Sequence, residues 1–270
     1  MPADKVADLL AFLERLCDRL DSLALELVTS PPIADETTKT VMLWRILLLA
    51  ISSDVGRSVI RLGQLRDENH ARAMRMLDRS LFEYGLRLEY YIFRPDEALK
   101  HGKNLSAWWG VLLKASQPYM KMESLTKEER RRLSDAINNI EGLEIPAIHY
   151  MLRCCLTMNG FKGGERKRRM NWLLSNYYHI GSSLIHGSQG AFLDFFGKNP
   201  ASGEIAYTHK SARYSVGDTL FNSGIHLIGT ISSEEKHRKK YLGVDMYYRE
   251  FELTTGRWGI LRDTQPRGPG

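Results

Sequence analysis

Cysteine is scarce in this chain of 270 residues: there are three, Cys17, Cys154 and Cys155, two of them adjacent. An odd, low count with one adjacent pair builds no disulfide framework, and the spacing matches no zinc site. Free thiols fit a reducing cytosol, so a cytoplasmic location is expected. A basic-then-apolar leader is also missing after Met1-Pro2-Ala3-Asp4-Lys5, which argues against a signal peptide. Long hydrophobic runs are lacking too. The most apolar stretch, Val41 to Ile51, is interrupted by Arg45 and falls far short of the ~20 residues a membrane span needs. It reads as a core helix, and no membrane partner is expected. No internal repeat or domain linker stands out. The expectation is one helical domain over residues 1–253, followed by a flexible tail over 254–270 rich in Gly, Pro and Arg.

What is present is ordinary for a globular protein: 43% hydrophobic and 26% charged residues, enough for a sizeable core. The net charge of +6 permits binding to nucleic acid or other phosphates without demanding it. Helical periodicity dominates. Leu9, Leu13, Leu16, Leu20, Leu23 and Leu27 recur at spacings of three and four, the pattern of an amphipathic helix over 4–28. Further helices are predicted over about 37–65 and 69–93, and from Pro95 to about Ser116. Thr126 and Glu129 form a capping box that opens the next one. A short helix follows around 147–157, then a loop over Asn159–Gly164, and a helix from Glu165 to Ile185. The stretch from Gly187 to Lys210 reads as irregular, with a small hairpin around Gly197-Lys198-Asn199-Pro200 and Gly203. Helices over 211–231 and 234–250 complete the chain, the second opened by Ser232-Ser233-Glu234-Glu235. The fold class is therefore all-α, a multi-helix bundle with a small hairpin after residue 187.

Two helices carry more than a core face. On the third, Met74, Leu77, Leu81, Tyr84, Leu88 and Tyr91 form an apolar stripe. The opposite face holds Arg72, Met76, Arg79, Glu83, Leu86 and Tyr90, mixed enough to be partly covered itself. Arg79 and Glu83 are spaced to pair at i, i+4. On the helix from Glu165, the apolar stripe is Met170, Leu173, Tyr177, Ile180 and Leu184. Arg168, Ser175, His179, Ser182 and His186 make a polar rail on its far side. Solvated faces are usually Lys- and Glu-rich; Ser and His suit a cleft or a buried network. His179 and His186 stand about 10 Å apart along the axis at ~1.5 Å per residue, too far to share a metal ion. No Gly-x-Ser-x-Gly elbow accompanies Ser182 and His186, so a serine hydrolase is not indicated. No metal and no cofactor is implied.

Arg79-Ser80-Leu81-Phe82-Glu83 with Tyr90-Tyr91, and Tyr178 with Ser182-Ser183-Leu184-Ile185-His186-Gly187-Ser188, resemble the two hallmarks of a bacterial family called domain of unknown function 5677. The resemblance covers roughly Val41 to Ser188. It implies a helical bundle in which the two helices are neighbours, bringing Arg79 and Glu83 toward Ser182 and His186. Such bundles are similar to the HEPN class, many of whose members are metal-independent ribonucleases, usually completed by dimerisation. Their signature is an Arg followed by four to six residues and a His on one helix. This chain departs from it, since positions 179 to 181 are His, Ile and Gly.

Two readings follow. In the first, the chain binds RNA or nucleotide phosphate, as a homodimer, and cleaves without metal. His186 is then the base for the 2′-OH, Arg79 the phosphate ligand, and Glu83 and Ser182 complete the catalytic set. Arg168, Ser175, His179 and Tyr90 are the binding residues. Of three basic runs, Arg166-Lys167-Arg168-Arg169 sits where its charge opposes the helix dipole, which an anion would relieve. Arg130-Arg131-Arg132 and Lys236-His237-Arg238-Lys239-Lys240, with glutamates nearby, read as solvated faces. In the second reading the chain is a non-catalytic binding or assembly module. The same Arg, Glu, Ser and His are then a buried polar network fixing helix register. Access to a cleft separates the two.

Overall fold

All six leucines of the first stripe, Leu9 to Leu27, are buried, and they draw α1 (Ala3–Val28) onto α2 (Glu36–Gln64). The computed structural model describes residues 3–31, 35–102, 126–138, 146–185, 196–198, 202–207, 215–238 and 244–256. Asp35 caps α2 by accepting the Thr38 N–H at 2.7 Å. A 3₁₀ turn, Glu68–His70, leads into α3 (Ala71–Phe93). Residues 95–102 form α4; the remainder of that predicted helix lies outside the described residues. The Thr126–Glu129 capping box is formed ahead of α5 (Lys127–Asn138), with Thr126 N–H donating to Glu129 at 2.8 Å. Then come α6 (Ile148–Met158), α7 (Gly163–Leu173), a π-helical turn (Leu174–His179) and α8 (Ile180–Ile185). The expected hairpin is present: β1 (Phe196–Lys198) pairs antiparallel with β2 (Ile205–Tyr207), Gly197 opposite Ala206. α9 (Val216–His237) and α10 (Val244–Thr255) close the described chain.

The protein is an all-α bundle. α1, α2, α3 and α9 pack on one another. α3 is the hub, meeting α2 and α9 on one side and α6, α8 and the π turn on the other, while α10 lies across α1 and α9. The apolar stripe predicted for α3 faces this core, with Met74, Leu81, Leu88 and Tyr91 fully buried. Its opposite face is covered as well: Arg72, Leu86 and Tyr90 are buried. Among the described residues no helix is long and apolar enough to cross a membrane.

Arg45, which interrupts the apolar run of α2, points into the bundle rather than away from it. It donates to both Glu234 carboxylate oxygens, at 2.8 and 2.5 Å. Arg238 donates to Glu234 at 2.6 Å and to Glu26 at 2.5 Å, and Arg19 joins Glu26 to Glu235. Three arginines and three glutamates thus neutralise one another across α1, α2 and α9. Burial works to raise the Glu234 carboxyl, but Arg45 and Arg238 outweigh it and hold it below the usual carboxylate range.

This ladder corrects one boundary. Ser232-Ser233-Glu234-Glu235 does not start a helix; it lies inside α9, which runs unbroken to His237. The Ser233 hydroxyl donates back to the Gly229 carbonyl at 3.1 Å, and Glu234 finds its partners across the core, so neither side chain is left to cap. At the C-terminal end α10 runs through Thr255, two residues into the predicted tail; residues 257–270 lie outside the described residues.

Candidate functional site

α3 and the α7–α8 segment are in direct contact, and a glycine sets how closely they approach. A Cβ at Gly181 would lie 2.6 Å from the Arg79 Cβ and 3.2 Å from the Arg75 carbonyl oxygen. Only a residue without a side chain lets α8 settle there. The Arg79 guanidinium then spans two partners. One amino group lies 2.5 Å from the Glu83 carboxylate, and the guanidinium carbon is 4.8 Å from the centre of the Tyr178 ring. The i, i+4 pair predicted from spacing is therefore made. It is not a loose surface pair, because the two side chains are only 12% and 19% exposed.

One turn earlier on α3 a second polar cluster is buried outright. Arg75 donates to Asp78 and, across the interface, to the backbone carbonyl of Asn176 in the π turn. The Ser223 hydroxyl of α9 donates to Asp78 at 3.0 Å, and His226 Nε2 stands 3.5 Å from the same carboxylate. The His226 ring meets the Tyr177 ring edge-on at 4.5 Å and Phe82 at 5.5 Å. Burial pushes the Asp78 carboxyl up to about 7, against the opposing pull of Arg75 and Ser223. Burial and then the Arg75 charge push the His226 imidazole down to about 3. Neither residue was singled out by sequence: Asp78 belongs to neither of the two faces read on α3, and α9 reads simply as an apolar helix.

The π turn disposes of the straight rail. A π turn takes one residue more than an α turn, so every later side chain sits about one position, roughly 100°, behind a regular helix. The Arg75 guanidinium on the Asn176 carbonyl is a side chain inserted into the backbone ladder, a recognised cause of such irregularity. Arg168, Ser175 and His179, before and within the turn, are exposed. After it the register has slipped: Gly181 is buried against α3 and Ser182 is half-buried. His186 lies outside the described residues. Tyr90, expected as a binding residue, has no exposed surface. It is enclosed between Tyr91 and Tyr150, its ring centre 5.9 and 6.2 Å from theirs.

What the helix crossing does offer to solvent is a histidine pair. Tyr178, backed by Arg79, has His179 at 5.6 Å and His149 at 6.3 Å, and the two imidazoles stand 5.8 Å apart centre to centre. Both histidines are exposed, and Arg153, one turn further along α6, is exposed too. His149 comes from the first turn of α6 and was invisible to periodicity, which orders residues within a helix but not between helices. Among the described residues no three His, Cys, Asp or Glu side chains come together as metal ligands.

The basic runs are largely engaged by the protein itself. Arg132 donates to Glu128, Arg238 belongs to the charge ladder, and Lys236 donates to Asn159. In the run thought to invite an anion, Arg166 donates to Thr157 at 2.9 Å and Arg169 lies over the Phe161 ring at 4.3 Å. No family model, no curated protein and no solved structure matches this chain.

Proposed function

We propose that this chain binds RNA where α6 meets the π turn and cleaves it without a metal, with His149 and His179 exchanging the protons. The observation that carries this reading is the exposed imidazole pair, 5.8 Å apart, flanking an aromatic ring held by an arginine. Imidazole exchanges protons near neutral pH. One histidine takes the 2′-OH proton as the 2′ oxygen attacks phosphorus. The bond from phosphorus to the 5′ oxygen breaks, and that oxygen takes a proton from the other histidine in its imidazolium form. The products are a 2′,3′-cyclic phosphate and a 5′-hydroxyl. Tyr178 gives a base an aromatic face, and Arg153 adds positive charge at the rim. Arg79, expected to hold phosphate, serves here as the support that fixes Tyr178. The net charge of +6 agrees with this reading.

The test is cleavage of a mixed-sequence single-stranded RNA in excess EDTA by wild type, His149→Ala, His179→Ala and His186→Ala. Either of the first two should slow cleavage by about a hundredfold or more, with melting temperatures nearly unchanged because both side chains are exposed. Loss of activity in His186→Ala alone would move the chemistry back to the residue first expected to carry it. An inactive, clean wild type would end the nuclease reading.

The covered Arg79–Glu83 pair favours a second reading, in which those residues lock helix register in a non-catalytic binding or assembly module. Arg79→Ala then loses stability, and RNA is bound intact or ignored.

A further inference from the structure

α3, α6, α7 and α9 do not close fully on one another. Between them lies a pocket of about 250 Å³, partly open to solvent, whose walls include Leu86, Leu152, Leu156, Leu173 and Ile225. Gly229 lines it from the middle of α9, and a Cβ built there meets nothing within 4 Å. A mid-helix glycine is a poorer helix former than alanine, and here no tight approach requires it. Gly85 is different: its Cβ would lie 2.7 Å from the Thr230 hydroxyl. The space beside Gly229 is therefore kept open against both helix propensity and packing.

One end of the cavity is polar and ordered. Asn159 donates to Glu89 at 2.7 Å and accepts from Lys236 at 2.8 Å, which fixes the orientation of its amide. Glu89 takes no other hydrogen bond from the described residues, and a carboxylate has room for several. Burial raises its carboxyl above the usual range, against the Asn159 bond and the Lys236 charge. On the cavity wall, His226 Nε2 is buried without a hydrogen bond and stands 3.5 Å from the Asp78 carboxylate.

We infer that this cavity is a binding site for a small, neutral, ring-shaped molecule with an apolar body and one N–H or O–H donor directed at Glu89. The apolar walls take the ring. The ammonium of Lys236 already balances the Glu89 carboxylate, and Arg169, also on the wall, lies over the Phe161 ring, so the site calls for no further charge. A single donor satisfies the acceptor capacity that Asn159 leaves open. This inference does not rest on the RNA reading and involves other residues.

The probe is indole, compared with indene, which has nearly the same shape and no N–H. Titration into the full chain, followed by calorimetry and by thermal melting, should show saturable indole binding. Indene should bind at least about tenfold more weakly, as expected for a donor to a charged acceptor. Glu89→Gln should erase most of that difference while still binding indole. Gly229→Leu should abolish binding of both probes and melt no lower than wild type, since it fills open space. Gly229→Ala should melt higher than wild type and bind indole less tightly, and it covers the case in which leucine is too large. Wild type that binds neither probe, binding equal for both probes, or unchanged indole affinity in the Gly229 variants would each overturn the inference.

Discussion

The buried Asp78–His226 pair makes opposing demands on pH that two substitutions should separate. Asp78 titrates at about 7 in the folded protein, against about 3.9 when unfolded. The folded state therefore holds the extra proton between those values, and stability is lost as pH rises from about 4 to 7. Each tenfold difference in proton affinity between the two states is worth about 1.4 kcal/mol, so a difference of roughly a thousandfold amounts to about 4 kcal/mol. His226 works the other way. Its folded value of about 3 lies below the unfolded value of about 6.5. The unfolded chain takes the proton first, and stability is lost as pH falls below 6.5. Over about pH 4 to 6.5 the two slopes nearly cancel, at about 1.4 kcal/mol per pH unit each. Asp78→Asn removes one slope. Relative to wild type it should gain about 1.4 kcal/mol per pH unit from pH 4.5 to 6.5, whatever its starting deficit. His226→Phe, which keeps a ring against Tyr177 and Phe82, should gain by the same amount in the opposite direction, as pH falls. Urea unfolding at pH 4.5, 5.5, 6.5 and 7.5 measures both, and other carboxylates drop out of the difference. If Asp78→Asn runs parallel to wild type, Arg75 and Ser223 keep the carboxylate ionised throughout and the burial argument is wrong.

Gly181→Ala should destabilise by about 1–2 kcal/mol, because overpacking against Arg79 outweighs the gain in helix propensity; an unchanged urea midpoint would contradict the close approach. Arg45→Ala should cost about 2–3 kcal/mol by taking from the fully buried Glu234 carboxylate one of its two arginines, while Arg132→Ala, on the surface, should stay within about 0.5 kcal/mol in the same assay. Arg79→Ala should cost about 1–3 kcal/mol, since Glu83 loses its partner, and near-UV circular dichroism should register the released Tyr178. RNA binding measured by fluorescence anisotropy should weaken steeply with added salt, as counterion release requires; a flat salt response would argue against a phosphate-dominated interface.

What the sequence disclosed was governed by distance along the chain. The leucines of α1, the two faces of α3 and the Arg79–Glu83 spacing are local patterns, and each is realised. The hairpin followed from turn residues close together. Arg45 and Glu234 lie on opposite sides of the core and far apart in sequence, so Arg45 read as an interruption of a core helix and Glu234 as the start of another. The π turn has no composition of its own; it answers to Arg75 on another helix. Hence Arg168, Ser175 and His179 are exposed, whereas Ser182 was placed by a register that had already slipped. His149 escaped for the same reason, since its neighbours His179 and Tyr178 belong to a different element.

The six residues from Leu174 to His179 also make this stretch tolerant of a change in chain length. A regular helix would cover the same turn with one residue fewer. Deleting a single residue there would leave α7 and α8 each facing the bundle as before, with Gly181 still against Arg79, and would withdraw only the carbonyl that Arg75 now uses. The same deletion within α7 would instead turn everything after it by roughly 100°. Among variants of this chain, a one-residue gap is therefore accommodated most readily at the turn that carries Tyr178 and His179.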